Sequence, residues 1–290
     1  MATVSSDVAI PEVWAAQVLA KLQKTLVFAG PGVVNRDYEG DIAGFGDTVR
    51  IISVGDPTIG DYEVNDTITW ESVSDSSQSL EISQSKSFSF KLDDVIMRQA
   101  RNGGALMDET AVRAAYGLRD AMDAYVASVM DAGVSASNPD NDLGAKTVTT
   151  AAGAYDLLVD LAVALDEANV PEVGRFVVVP PNFHGLIRKD TRFIATGDMA
   201  STAARLNGQI GEAAGLAVLK SNNAPTDGGA RVVIAGYAGA TTVAENINSV
   251  ETVRLPDTFA TGLRGLHLYG AKVTRPSGLA KADVTISLAS

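Results

Sequence analysis

Residues 80–93 read LEISQSKSFSFKLD. Even positions carry Leu80, Ile82, Gln84, Lys86, Phe88, Phe90 and Leu92, and odd positions carry Glu81, Ser83, Ser85, Ser87, Ser89, Lys91 and Asp93. Alternation this strict is the period of a β-strand, whose successive side chains point to opposite faces. One face is entirely polar, and the other is apolar at both ends with a polar middle. At about 3.3 Å per residue the run spans roughly 40 Å, well beyond the usual five or six residues of a strand. A strand of that length outgrows its own core. Upstream, Val49, Ile51, Ile52 and Val54 supply a return strand. Between them, residues 55–79 are acidic and polar, with Ile68, Trp70 and Val73 alternating. The pattern predicts a long β-arm projecting from the body.

Flanking this arm, Pro11 and the spacing of Val13, Trp14, Val18, Leu19 and Leu22 predict a short amphipathic helix to about Lys24. Residues 30–46 are rich in glycine and turn formers and read as an extended segment. After Gly103 and Gly104, the stripe Ala111, Ala115, Leu118, Met122, Tyr125 and Val129 predicts a spine helix from about Met107 to Met130. Asp108 and Glu109 fall in its first turn, where they favour the helix dipole. Gly133 and the polar run to Gly144 are expected to end the helix in an exposed turn.

Further on, Thr149 or Thr150 can cap a helix with Ala154, Leu158, Leu161, Leu165 and Ala168 on one face, stopped by Pro171. Residues 176–179 read as a buried strand and 181–189 as a short helix, followed by a loop region through Gly215. Strands are expected at 216–219, 231–235, 241–244, 250–255, 262–273 and 284–288. This alternation predicts a mixed α/β unit, and no internal repeat is present.

Composition narrows the function. The 290 residues are 46% hydrophobic, ample for one large or two medium cores. The formal net charge is −12, so the overall field repels nucleic-acid phosphates. No cysteine occurs, which removes disulfides, thiolate metal sites and cysteine nucleophiles. Residues 1–7 lack the basic flank and apolar run of a signal peptide, and no apolar run approaches the roughly 20 residues of a membrane span. A soluble protein made in the cytoplasm is expected, with no membrane partner.

No residue set nominates a catalytic, cofactor-binding or metal site. His184 and His267 are far apart and neither has a second histidine at zinc-ligand spacing, so a helix-cap role for His184 and a strand-face role for His267 are expected. Ser83 and Lys86 match Ser-x-x-Lys, but a strand puts them on opposite faces. Residues 138–144 resemble a calcium loop with the glycine one position late and no bidentate glutamate following, and read as a turn. Gly208, Gly211 and Gly215 do not form a dinucleotide fingerprint. Asn65-Asp66-Thr67 is a glycosylation sequon that means nothing without export. Carboxylates are abundant, yet none forms a recognisable acid and base pair.

The order of segments resembles a known family, the tailed-bacteriophage major capsid proteins of Hong Kong 97 type. The phrases that carry it are GDTVRIISVGDPTIGDY (46–62), SFSFKLDD (87–94), ETAVRAAYGLRDAMDAYVASVMD (109–131), RFVVVPPNFHGLIRKD (175–190), GLAVLKSNNAP (215–225) and GLRGLHLYGAKVTRP (262–276). The resemblance implies an α+β Hong Kong 97-like major capsid fold. Residues 1–45 would form an N-terminal arm and 46–93 an extended β-hairpin loop. A peripheral domain with the spine helix would comprise 94–145 and 246–290, its last strands completing the peripheral sheet. A mixed α/β axial domain would span 146–245.

In such shells the arm and loop lie over neighbouring subunits. The implied function is a non-enzymatic head protein, self-assembling as hexamers and pentamers into an icosahedral shell around a tailed phage's double-stranded DNA. Its location would be the virion capsid, assembled in the host cytoplasm. Implied partners are other copies, a portal, packaged DNA without sequence-specific contacts, and a separate scaffolding protein, because no long charged scaffolding segment precedes the arm. The family's cross-link needs a loop lysine, an asparagine on a neighbour and a glutamate. Lys86 is the only lysine between residues 46 and 90 and lies near the return strand, so it is not nominated. Competing readings are an encapsulin-like compartment shell, a soluble α/β enzyme with dispersed carboxylates, and a tail or adhesin component.

Overall fold

The computed structural model describes residues 26–37, 46, 48–54, 75–93, 103–137, 139–190 and 211–287. The helix expected at 11–24, the alternation at Ile68, Trp70 and Val73, and Gly208 lie outside these residues.

The alternating run is two strands and not one. β1 (Thr48–Val54) pairs antiparallel with β2 (Asp75–Glu81), and the chain then breaks at Ile82 and Ser83 before β3 (Gln84–Asp93). β3 joins a different sheet, ordered β10 (Thr241–Arg254), β11 (Ala260–Val273), β3, all antiparallel. The period of two survives the break because each half faces its own apolar partner. Leu80 and Ile82 are fully buried against Ile51, Ala244 and Leu268. Phe88 and Phe90 stand on the other side of the three-stranded sheet, rings 6.3 Å apart, with Phe88 packed over Gly265. The polar middle, Gln84 and Lys86, marks the changeover. The longest strands among the described residues are β10 and β11, 14 residues each, which at about 3.3 Å per residue reach roughly 45 Å. Residues 241–244 and 250–255, expected as separate strands, are one strand joined through an irregularity between Ile247 and Ser249.

The spine helix, α1, runs from Gly103 to Ser137, longer at both ends than its stripe predicts. Starting at Gly103 removes Asp108 and Glu109 from the first turn. At its other end Gly133 does not stop the helix. A Cβ there would come within 2.5 Å of Val273 Cγ2, so this glycine serves close packing of helix on strand. The buried stripe is Ala115, Leu118, Met122, Val126 and Met130, with Tyr125 and Val129 only partly covered.

A seven-stranded sheet forms the other half: β4 (Asp142–Val148), β12 (Leu279–Ile286), β9 (Ala230–Tyr237), β5 (Arg175–Val179), β7 (Leu216–Lys220) and β6 (Glu212–Ala213) in order, with β8 (Thr226–Asp227) beside β9. One face packs on α2 (Ala151–Glu167) and α3 (Pro181–Ile187), the other on α1 and residues 26–34. All five residues of β5 are buried, as a strand covered on both faces requires. Thr150 caps α2, its Oγ1 accepting from Gly153 N at 3.1 Å.

Two expectations fail here. Residues 142–144, expected in the exposed turn that runs to Gly144, begin the strand β4, because the edge of β12 is available to pair with it. That same strand β12 lies in the seven-stranded sheet, beside β9, and does not complete the sheet of β10 and β11.

Candidate functional site

The features that stand out are places where segments distant in sequence are fastened to one another. The first is Asp123, a carboxylate in the apolar stripe of α1 and only 3% exposed. Its Oδ1 accepts from the N–H groups of Val27 (2.9 Å) and Ala29 (3.2 Å). Its Oδ2 accepts from Asn223 Nδ2 at 3.2 Å and from Ser221 Oγ at 3.4 Å. One side chain thus ties the N-terminal segment, the spine and the loop after β7 together. Asp123→Ala leaves buried donors without acceptors and will cost about 2–4 kcal/mol, lowering the unfolding midpoint by roughly 5–10 °C in calorimetry. Asp123→Asn keeps an acceptor and will lose less.

The second fastening is Arg36–Glu245–His267. Arg36 donates from Nε to Ala29 O (3.1 Å) and from Nη1 to Glu245 Oε1 (2.8 Å). Glu245 Oε2 lies 3.3 Å from Nε2 of the fully buried His267. Burial pushes the Glu245 carboxyl up, but the His267 hydrogen bond and the Arg36 charge outweigh it and hold the group below its ordinary value of 4.5. A depressed carboxylate contributes stability that is present above its unfolded value and lost as pH falls through the folded one. Acid titration of stability between about pH 5 and pH 3 will therefore be shallower for Glu245→Gln than for the unmodified chain. Below His267 on the same face, burial and the neighbouring Tyr125 push the Tyr269 hydroxyl up to about 12.

The residues weighed for chemistry are not brought together. His267 lies on β11, as expected for a strand-face residue. His184 is in α3, where its carbonyl accepts from Arg188 N at 3.2 Å and closes the helix. Burial, then the charges of Lys220 and Arg188, lower its pKa. Ser83 sits at the break between β2 and β3, its Oγ 3.1 Å from the Tyr125 hydroxyl, and Lys86 is exposed on β3. In the region resembling a calcium loop, Asp142 Oδ1 accepts from Gly144 N, and Asn141 Nδ2 donates to the carbonyls of Ser277 and Leu279. Asp142 and Asp131 also hold Lys281 Nζ, at 3.5 and 2.6 Å. These side chains fasten β4 to β12 and α1. Gly215, at φ +74°, makes the turn between β6 and β7. Residues 65–67 lie outside the described residues. Among those described, no group of three or more His, Asp or Glu is placed to hold a metal ion, and no helix is long and apolar enough to cross a membrane.

What the body presents is open strand surface. The N-terminal segment bridges β10 only at Asn35 and Thr242, through Asn35 N to Thr241 O and Val243 N to Asn35 O, both 2.9 Å. Beyond that bridge the outer edges of β10 and β3 carry no ladder among the described residues. On the sheet face bearing Lys91, Ser89 and Arg264, two open grooves of about 320 Å³ flank Arg264. Unpaired strand edges are templates for another chain.

Comparison with known proteins decides what kind of chain this is. The family model for phage capsid proteins matches residues 77–282. The chain belongs to the phage capsid protein family. Among solved structures, this capsid protein is similar to a chain from Mycobacterium phage Che8, at 29% identity and TM-score 0.70, covering 89% of this chain and 91% of that one. A chain from the capsid of Cyanophage P-SCSP1u gives TM-score 0.70 at 15% identity, covering 91% and 89%. The virus-like particle from Pyrococcus furiosus gives TM-score 0.52 at 14% identity, covering 93% and 98%. The latter two speak to the fold alone. No curated protein matches. The fold is the Hong Kong 97-like major capsid fold, and the protein is a major capsid protein, a structural component of the virion that assembles with its own copies into a shell.

The fastenings of this capsid protein were not visible as sites beforehand. Asp123 carried a signal, an acid inside the stripe between Met122 and Val126. Arg36 and Glu245 carried none, since they stand 209 positions apart and meet only once the chain between them has folded.

Proposed function

We propose that this major capsid protein forms hexamers and pentamers of an icosahedral shell enclosing the double-stranded DNA of a tailed phage. The observation that carries the reading is the family match across residues 77–282. In this reading the chain catalyses no reaction, and its work lies in contacts between copies. Residues 1–45 act as the arm, 46–93 as the extended loop, 94–145 and 246–278 as the peripheral domain, and 146–245 as the axial domain, whose sheet β12 joins. The arm and loop lie over neighbouring subunits, and the outer edges of β10 and β3, which carry no further ladder among the described residues, are where a neighbour's strand would add. Tight fastening at Asp123 and Glu245 supports this, because a projecting segment transmits force to its own subunit only if its base is fixed.

A net charge of −12 supports a wall that encloses DNA without gripping it. A portal and a separate scaffolding protein complete the assembly in the host cytoplasm. Particle mass and content test the reading against a cargo-bearing compartment of the same fold. DNA-filled heads on tails are expected, and small uniform particles loaded with protein would contradict it.

A further inference from the structure

We infer that the tip of the β10–β11 hairpin is a plug that enters the groove beside the same hairpin on a second copy of this chain. The inference rests on the shell reading and specifies one of its contacts. Phe259, at the hairpin tip, is 80% exposed, an uncommon setting for a large aromatic on a loop otherwise made of Leu255, Pro256, Asp257 and Thr258. Just below the tip, one of the two grooves is formed by Gly262, Val253, Leu255, Lys91 and Arg264. Its volume of about 320 Å³ exceeds the roughly 150 Å³ that suffices for a benzene-sized ring.

Chemistry matches as well as size. The tip offers a carboxylate, Asp257, two residues from the ring. The groove is flanked by Lys91, exposed and without an ion-pair partner among the described residues, and by Arg264, which is held by Glu251 at 2.6 Å. The chain does not fill its own groove, since the ring stands in solvent. A surface that carries both knob and hole is complementary to another copy of itself. The occupant is therefore a second copy.

Because the chain lacks cysteine, cross-linking gives a clean readout. Phe259→Cys chains and Val253→Cys chains, distinguished by mass tags, are co-assembled into shells and oxidised. Mixed disulfide dimers are expected. Shells whose only dimers join Phe259→Cys to Phe259→Cys, or shells without dimers, would overturn the inference and leave the shell reading standing. An unmodified chain that stays monomeric at every concentration would overturn both. Gly262→Leu provides an independent arm. A Cβ at Gly262 meets Val253 O, Phe90 O and Leu255 Cδ2 only at 3.6–3.9 Å, so the fold tolerates it while the side chain fills the groove. This variant is expected to need about tenfold higher concentration to assemble, the scale of losing one well-packed aromatic. Unchanged assembly would count against the plug.

Discussion

Gly270→Ala will detach the root of the extended loop while leaving the seven-stranded sheet folded. Gly270 lies on the middle strand β11, opposite Ala244, where the chain leaving β2 crosses over it. A methyl group there would collide with the carbonyl oxygen of Glu81 and press on the backbone at Ile82, and backbone cannot swing aside as a side chain can. The crossing must lift. Lifting removes Leu80 and Ile82 from their fully buried positions against Ile51, Ala244 and Leu268. Each such side chain is worth about 1.5–3 kcal/mol, so the root loses on the order of 3–6 kcal/mol. It also strains the bonds from Gln78 Nε2 to Thr274 O and from Lys272 Nζ to Ser79 O. The expected result is faster hydrogen exchange and proteolysis across residues 48–82 with the circular dichroism of α1 unchanged. Wild-type protection in that segment would show that the crossing tolerates the methyl group.

Replacing residues 55–74 by Asn-Gly will abolish closed shells without unfolding the subunit. Val54 and Asp75 are directly paired, so a two-residue turn closes the β1–β2 hairpin with its register kept. In the shell reading this segment reaches over a neighbouring subunit and does not enter its own core. Thermal unfolding should stay within about 3 °C of the unmodified chain, a shift of less than roughly 1–1.5 kcal/mol. Size-exclusion chromatography should show subunits or small rings where the unmodified chain gives particles. Outright unfolding would make the segment part of the core, and normal particles would remove it from assembly.

How much of this was legible in the sequence depended on whether the signal was local. The stripe on α1, the cap at Thr150, the buried strand at 176–179 and the alternation of 80–93 all announce themselves within a few residues. The break at Ile82 and Ser83 did not, because side-chain alternation reports which face a residue takes and not which strand it pairs with. Gly133 read as a helix stop for a similar reason. Its purpose, room for Val273, is a contact between distant segments. Residues 142–148 lack strand character in isolation and become a strand through the edge that β12 offers. The capsid identity came from the order of short phrases. The fastenings at Asp123 and Glu245 came only from the folded chain.

Electron microscopy of the purified chain, across a concentration series, tests the central claim most directly. The account predicts closed shells or capsomer rings of uniform size, growing in number with concentration. A chain that remains a folded monomer at every concentration, with neither rings nor shells, would contradict it.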